Sequence, residues 1–272
     1  MWYWHNGELV EREKVLIPVE DHGFLYGMGL FETFRTYEFV PFLFDAHWER
    51  LMKSLDELWI DFPFMKEEIG TAIQQLCRQN DAPDLYIRLN VLAGVAPLGL
   101  YAGRYKTPNV TLIVKPLSSE VVPQEKRVEP IPFPRSRPEA AFRLKSHHYM
   151  NNILGKRTLQ DQGAEGLFAD EHGHVVEGLV SNIFWVGPDD RLYTTPLSSG
   201  ALAGVTRQWV IDHFSVVEQP VTFEELAVAK EIWMTNSIQQ VAPVTHYGKL
   251  RYPGKDGVRF NEVWAKLVRS IG

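Results

Sequence analysis

Gly27-Met28-Gly29-Leu30-Phe31-Glu32-Thr33-Phe34-Arg35 opens on a Gly-rich bend and continues as an apolar and aromatic run, the composition of a strand. Val40 to Phe44 reads as its partner strand. Asp45-Ala46-His47-Trp48-Glu49-Arg50-Leu51 then opens a helix: Asp45 is a good N-cap, and Trp48, Leu51, Leu55 and Leu58 recur at helical spacing. Toward the N-terminus, residues 1–20 alternate apolar and polar around Asn6-Gly7, a strong hairpin signal. Toward the C-terminus, a second amphipathic helix covers about Lys66 to Gln79, and Leu85 to Ala93 and Asn109 to Val114 read as strands. Two helices set among several strands predict an α+β domain.

The composition then shifts. Pro116, Pro123, Pro130, Pro132, Pro134 and Pro138 crowd one stretch, and a linker is placed at 116–124, between a domain at 1–115 and another at 125–272. The second half begins with a short helix from about Tyr149 to Gln162. A hairpin follows, from Gly166-Leu167-Phe168-Ala169-Asp170 through a turn at Glu171-His172-Gly173 to Val175-Val176-Glu177-Gly178. Asn182 to Val186 and Leu192 to Thr194 form another. Ala203-Gly204-Val205-Thr206 leads into a helix through Phe214, Glu231 to Thr235 is a strand, and Asn261 to Ser270 is a C-terminal helix.

Of 272 residues, 45% are hydrophobic and 23% charged, which excludes a disordered chain. The balance of 28 basic and 34 acidic residues, net −6, repels phosphate backbones and argues against nucleic acid as a partner. The single cysteine, Cys77, has no internal disulfide partner, and no Cys/His spacing reads as a metal site, so a reducing cytoplasm and no metal are expected. Met1 to Gly7 lacks the regions of a signal peptide, and no apolar run reaches the ~18 residues of a membrane span.

Several familiar sites are missing: there is no Walker-type phosphate loop, no third glycine after Gly27-x-Gly29 for a dinucleotide fingerprint, and no Gly-x-Ser-x-Gly elbow. Other segments carry candidate chemistry. Gly204-Val205-Thr206 before a helix offers orphan backbone N–H groups, a hydroxyl and the positive end of the helix dipole, the form of a phosphate cradle. Alone it reads as readily as a glycine turn with Thr206 as a plain N-cap. Thr235-Asn236-Ser237 offers further hydroxyls and an amide, or a polar turn. Arg50 is an ordinary surface cation or a bidentate phosphate donor. Lys145, in Phe142-Arg143-Leu144-Lys145-Ser146-His147-His148-Tyr149, is surface charge or a desolvated amine able to attack a carbonyl. Glu177 is an exposed-face residue or a buried carboxylate that needs a cation. Together, an amine, a phosphate cradle and an anion suit one ligand, pyridoxal 5′-phosphate (PLP).

Three segments resemble the class IV PLP enzymes: Asp21-His22-Gly23-Phe24-Leu25-Tyr26-Gly27-Met28-Gly29-Leu30-Phe31-Glu32-Thr33, Arg143-Leu144-Lys145-Ser146-His147-His148-Tyr149-Met150-Asn151-Asn152, and Glu177-Gly178-Leu179-Val180-Ser181-Asn182-Ile183-Phe184-Trp185. That family holds branched-chain aminotransferases, D-amino-acid aminotransferases and 4-amino-4-deoxychorismate lyases, and the resemblance spans about residues 3–268. It implies the two-domain fold type IV, a small N-terminal α+β domain and a larger C-terminal domain with a barrel-like sheet, a small-molecule substrate, and a homodimer. It implies that Lys145 is the Schiff-base lysine, Glu177 the carboxylate at the pyridine nitrogen, and Arg50 the phosphate arginine. Gly204, Val205 and Thr206 match the helix-start phosphate loop and Thr235, Asn236 and Ser237 the second phosphate-side loop. Ser181 and Asn182, after Glu177, complete the cofactor set, and Tyr149 matches a residue at the ring hydroxyl.

Within the family, the Lys145 and Asp21 segments most resemble bacterial aminodeoxychorismate lyases of folate synthesis. D-amino-acid aminotransferases hold the substrate carboxylate with an Arg-x-His pair after the strand corresponding to 85–93, where this chain reads Asn90-Val91-Leu92-Ala93-Gly94-Val95-Ala96-Pro97-Leu98. Glu32, Thr33 and Arg88 are the candidates for substrate contact, with Glu32 and Thr33 expected to face one cleft, and Arg88, Lys106 and Arg143 are the alternatives for the substrate carboxylates. Lyase chemistry is thus the expectation. The alternatives are an aminotransferase sharing Lys145 and Glu177, and a non-catalytic binding module that needs no reactive lysine.

Overall fold

A computed structural model describes residues 1–271. The chain forms two compact units: Met1–Glu120 together with Leu144–His148, and Val121–Arg143 together with the chain from Tyr149 onward.

The first unit contains β1 (Trp2–His5), β2 (Glu8–Glu11), α1 (His22–Tyr26), β3 (Gly29–Tyr37), β4 (Val40–Pro41), α2 (Phe44–Glu57), α3 (Lys66–Gln79), β5 (Leu85–Leu92) and β6 (Asn109–Pro116). Six strands form an antiparallel sheet in the order β2-β1-β6-β5-β3-β4. Asn6 and Gly7 both take positive φ in the first hairpin, the conformation that an Asn-Gly turn supplies. The strand period of two decides what each face carries. On β5, Leu85, Ile87, Leu89 and Val91 are buried in one core with Leu51 and Leu55 of α2 and Ile69, Ile73 and Leu76 of α3. The intervening Tyr86, Arg88 and Asn90 are half-buried on the opposite face.

Two local expectations change here. The partner of β3 is only Val40–Pro41, and α2 begins at Phe44 after Leu43, which sits in the left-handed region at φ 53°. Asp45 is therefore inside the first turn and ion-paired to Lys66 rather than capping the helix. The early turn of the chain at Leu43 takes the cap position away from Asp45.

Leu144–His148 returns to this unit because its backbone pairs with β3. Phe31 N–H donates to the Lys145 carbonyl at 2.9 Å, and His147 N–H donates to the Gly29 carbonyl at 3.2 Å. Lys145 and His147 thereby share a face, with Ser146 turned the other way and bridged to Leu30.

The second unit contains β7 (Lys126–Pro130), α4 (Met150–Thr158), β8 (Glu165–Ala169), β9 (Val175–Gly178), β10 (Asn182–Val186), β11 (Leu192–Thr194), α5 (Val205–His213), β12 (Val216–Glu218), α6 (Phe223–Ala227), β13 (Glu231–Asn236), β14 (Gln240–Tyr247), β15 (Leu250–Arg251) and α7 (Val258–Ile271). Its nine-stranded sheet runs β12-β11-β10-β13-β14-β7-β8-β9, with β15 beside β14. β9, β10 and β11 are buried along their whole length. Buried Glu231 on β13 accepts from the Phe260 and Arg259 N–H groups at 2.9 and 3.0 Å, so its carboxylate caps the start of α7. α7 begins at Val258, earlier than its apolar spacing indicates, for this reason. α4 ends at Thr158, short of the expected Gln162. α5 is capped by Gly204, and Thr206 lies inside its first turn. β7 and β14 are not legible as strands in the sequence, and they pair in parallel in the sheet. Pro130 ends one and Pro243 interrupts the other, so neither reads as a regular alternating strand.

Among the described residues no helix is long and apolar enough to cross a membrane.

Gly29 tests how tightly β3 is seated. A Cβ there would stand 2.5 Å from the Val91 carbonyl oxygen and 2.7 Å from His147 Nδ1. Gly29→Ala is expected to destabilise the protein by about 1–3 kcal/mol, the range of an overpacked core, measured by urea unfolding. Stability within about 0.5 kcal/mol of the parent would mean that the strand shifts freely at this point.

Candidate active site

In the first unit, β3 is the organising strand. Phe31 and Glu32 are adjacent, so their side chains leave opposite faces of the sheet. Thr33 follows Phe31 on its side, and Glu32 points to α2. The expectation that Glu32 and Thr33 face one cleft does not agree with this alternation.

Glu32 is 1% exposed. Its carboxylate accepts from Arg50 Nε at 2.8 Å and from the other edge of that guanidinium at 2.6 Å, and from His47 Nδ1 at 2.7 Å. His47 and Arg50 lie on the same face of α2, three residues apart, which is why both reach Glu32. Burial alone would push the carboxyl upward. The Arg50 charge and the hydrogen bonds from His47 and Arg50 outweigh it and hold the group down at about 2. Burial pushes His47 below its ordinary value, and the Arg50 and Lys145 charges add to that against the pull of Glu32. Arg50, the sequence candidate for phosphate, is thus aligned by a buried carboxylate.

On the other face, Phe31 is touched by three nitrogenous groups. Lys145 Nζ lies 4.6 Å from the ring centroid and Arg88 Cζ 3.5 Å. The His147 ring stacks on it at 5.9 Å with an interplanar angle of 5°. Asn90 Oδ1 accepts from Arg88 Nε at 2.9 Å and is 3.2 Å from His147 Nε2. Burial, then the charges of Arg88 and His148, hold the His147 imidazole at about 4. An amine and a guanidinium on one aromatic ring form a cationic patch suited to a carboxylated substrate.

In the second unit, Glu177 is 4% exposed on β9. Oε1 accepts from Arg135 Nε at 2.9 Å, with Arg143 Nε at 3.7 Å, and Oε2 accepts from the Leu202 N–H at 2.8 Å. Arg135 also donates to Asn151 and Asn152 at 2.8 and 3.0 Å. Two arginines flank this buried carboxylate, and each oxygen retains acceptor capacity for a cationic N–H. Burial, then the neighbouring Arg135 charge, lowers Arg143, while Glu177 works in the opposite direction. Ser181 donates to Glu165 at 2.6 Å, and the Val180 N–H donates to the same oxygen, beside the end of β9.

Gly204 caps α5, where a Cβ would collide with Asn182 Oδ1, and the Asn182 amide donates to the Leu202 carbonyl at 2.8 Å. Asn182 lies opposite Thr235 in the β10–β13 ladder. Thr206 and Thr235 are each 1% exposed, and neither Oγ1 has a hydrogen-bond partner among the described residues. Two orphan hydroxyls near a helix start that has no side-chain cap and no room for one fit an anion with several oxygens. Val205 is buried at the first helical position. Asn236 turns its Oδ1 to the N–H groups of Ile238 and Gln239, which shapes the turn that carries Ser237. Tyr149 is the N-cap residue of α4.

The structure therefore groups Lys145 with Arg88 and Phe31, Arg50 with Glu32, and Glu177 with Leu202, and it sets Asn182 and Gly204 beside one another. Sequence reasoning does not identify Arg135, His47, Asn90 and His147 as parts of these clusters. A buried Glu177 signals a need for a cation, but nothing local identifies Arg135, which lies 42 residues upstream in a proline-rich stretch.

Against known proteins, the family model described as amino-transferase class IV matches residues 29–247. The aminodeoxychorismate lyase of Bacillus subtilis is 39% identical over 93% of this chain and 88% of its own length. A putative branched-chain-amino-acid aminotransferase of Methanocaldococcus jannaschii is 34% identical over 88% of this chain and 85% of its own. Among solved structures, the T.th. branched-chain amino acid aminotransferase complexed with N-(5′-phosphopyridoxyl)-L-glutamate superposes with a TM-score of 0.87 at 27% identity, covering 99% of this chain and 93% of that one.

The Glu32 cluster has a defined pH signature. Its carboxyl is depressed on folding, so its contribution is complete above the ordinary value near 4.5 and is lost as pH falls toward about 2. Glu32→Gln is expected to cost about 3–5 kcal/mol at pH 7, because it strands the partly buried Arg50, and to flatten the acid limb of stability. Urea unfolding from pH 7 to pH 3 measures both, and an unchanged acid limb would show that Glu32 is not the group responsible.

Proposed function

The chain belongs to the amino-transferase class IV family and has the α+β, two-domain fold of type IV PLP enzymes, and on that premise we propose that it is a 4-amino-4-deoxychorismate lyase. The reaction converts 4-amino-4-deoxychorismate to 4-aminobenzoate and pyruvate. The observation that carries the reading is the pairing of the Lys145 amine with the Arg88 guanidinium on Phe31, a reactive base beside a carboxylate anchor. The 39% identity to a lyase adds support, as does the absence of Arg and His from Asn90–Leu98, where D-amino-acid aminotransferases carry theirs.

The residues fit PLP as cofactor. When bound, PLP supplies a protonated ring that accepts the electron pair of a breaking C–H bond. Glu177, paired with Arg135, would hold the proton at the pyridine nitrogen. The hydroxyls of Thr206, Thr235 and Ser237, the α5 N–H groups and the Arg50 guanidinium would bind the phosphate. Lys145 removes the proton from the amine-bearing ring carbon of the substrate as general base. The bond from the adjacent ring carbon to the enolpyruvyl oxygen breaks, the enolpyruvate takes up a proton to become pyruvate, and the ring becomes aromatic. Arg88 and Thr33 hold the substrate during this step. The exposed apolar residues Phe24, Leu98 and Leu100 support a homodimer as the working form.

An aminotransferase is the second reading, favoured by the 34% identity to a putative branched-chain enzyme. Purified protein with PLP and aminodeoxychorismate, without an amino acceptor, is expected to release equal amounts of pyruvate and 4-aminobenzoate. Dominant stoichiometric amino transfer between amino and keto acids would replace the lyase reading with the second. Lys145→Ala is expected to lower turnover by at least about a thousandfold with unfolding unchanged, since it removes the general base. Substantial activity in that variant would overturn the assignment of Lys145.

A further inference from the structure

Asn90 and His147 have no role in the reaction as derived, yet Asn90 accepts from the Arg88 guanidinium that would hold the substrate, and His147 reaches the same Asn90 oxygen. Asn90 is the direct cross-strand partner of Phe31, and Arg88 lies two residues earlier on the same face of β5. The Asn90 side-chain oxygen can only accept, and both Arg88 Nε and His147 Nε2 lie within hydrogen-bond reach of it. That shared acceptor assigns the His147 proton to Nε2 and leaves Nδ1 bare, lodged against Gly29. The backbone bond from His147 to Gly29 also fixes the register of Lys145 on β3.

We propose that Asn90 and His147 form a latch that holds the Arg88 guanidinium over Phe31, and so fixes the cation that receives a substrate carboxylate beside Lys145. Both are positioning residues, and the proposal rests on the carboxylate-anchor reading of Arg88. An amide is the right chemistry for this acceptor. A carboxylate at position 90 would neutralise Arg88 and remove the charge meant for the substrate. A neutral imidazole is equally required, because a third positive charge beside Arg88 and Lys145 would repel both. Burial together with Arg88 and His148 keeps His147 uncharged above about pH 4.

The test uses PLP-loaded Asn90→Ala, Asn90→Asp, His147→Leu and His147→Gln. Asn90→Ala and His147→Leu are expected to raise KM for aminodeoxychorismate by about ten- to a hundredfold, the range of one hydrogen bond to a charged group, with kcat changing less than about threefold. Asn90→Asp is expected to raise KM further. His147→Gln, which keeps an N–H donor, is expected to restore KM to near the parent value. Histidine NMR gives a readout independent of turnover: His147 in the parent is expected as the Nε2–H tautomer titrating near pH 4, and Asn90→Asp is expected to raise that titration by at least about one pH unit. Unchanged KM in both Asn90 variants, or a parallel fall of kcat and stability with KM constant, would overturn the latch. If the parent makes no 4-aminobenzoate, the lyase reading fails by itself, and the latch is judged on KM for glutamate in amino transfer and on the NMR titration.

Discussion

The backbone pairing of Lys145–His147 with Gly29–Phe31 is the constraint on which the candidate site depends. Two hydrogen bonds bring a segment distant in sequence onto the edge of β3. Because strand residues alternate, that register puts Lys145 and His147 on the Phe31 face and turns Ser146 away. A slip of one residue would turn the amine to the other side. Gly29 makes the approach possible, since any side chain there would collide with the Val91 carbonyl and the His147 ring.

Buried carboxylates fix the rest. Glu32 and Glu177 are each almost fully enclosed, and guanidinium groups and N–H donors surround each carboxylate. A buried charge pair of this kind contributes little net stability, since desolvation offsets most of the attraction. Its effect is directional. Glu32 holds Arg50 in a bidentate grip, and Arg135 and the Leu202 N–H fix the oxygens of Glu177. Both anions thus act as geometric references for groups that would contact a cofactor, and their loss would disturb orientation as well as stability.

The orphan hydroxyls of Thr206 and Thr235 show the opposite situation. Buried polar atoms without partners are uncommon because leaving them unmade costs about 1–3 kcal/mol each. Thr206 lies in the first turn of α5, where Gly204 leaves no room for a side chain, and Thr235 lies on β13 opposite Asn182; the two hydroxyls suit an anion.

The local elements and the chemical inventory follow from short stretches of sequence. The Asn6-Gly7 turn, the helix at Lys66–Gln79, the strands at Asn182–Val186 and Leu192–Thr194, and the residue types at Lys145, Glu177 and Thr206 were legible because they depend on periodicity, turn chemistry and motif order over short spans. β7 and β14 were not, since Pro130 ends one and Pro243 interrupts the other, so neither shows a regular alternating pattern. The contacts of Glu32 with Arg50 and His47, of Glu177 with Arg135, and of Asn90 with His147 come from the tertiary fold. Each is a contact between residues remote in sequence, and the energy that selects it comes from desolvating a charge beside one particular partner, which no local pattern encodes.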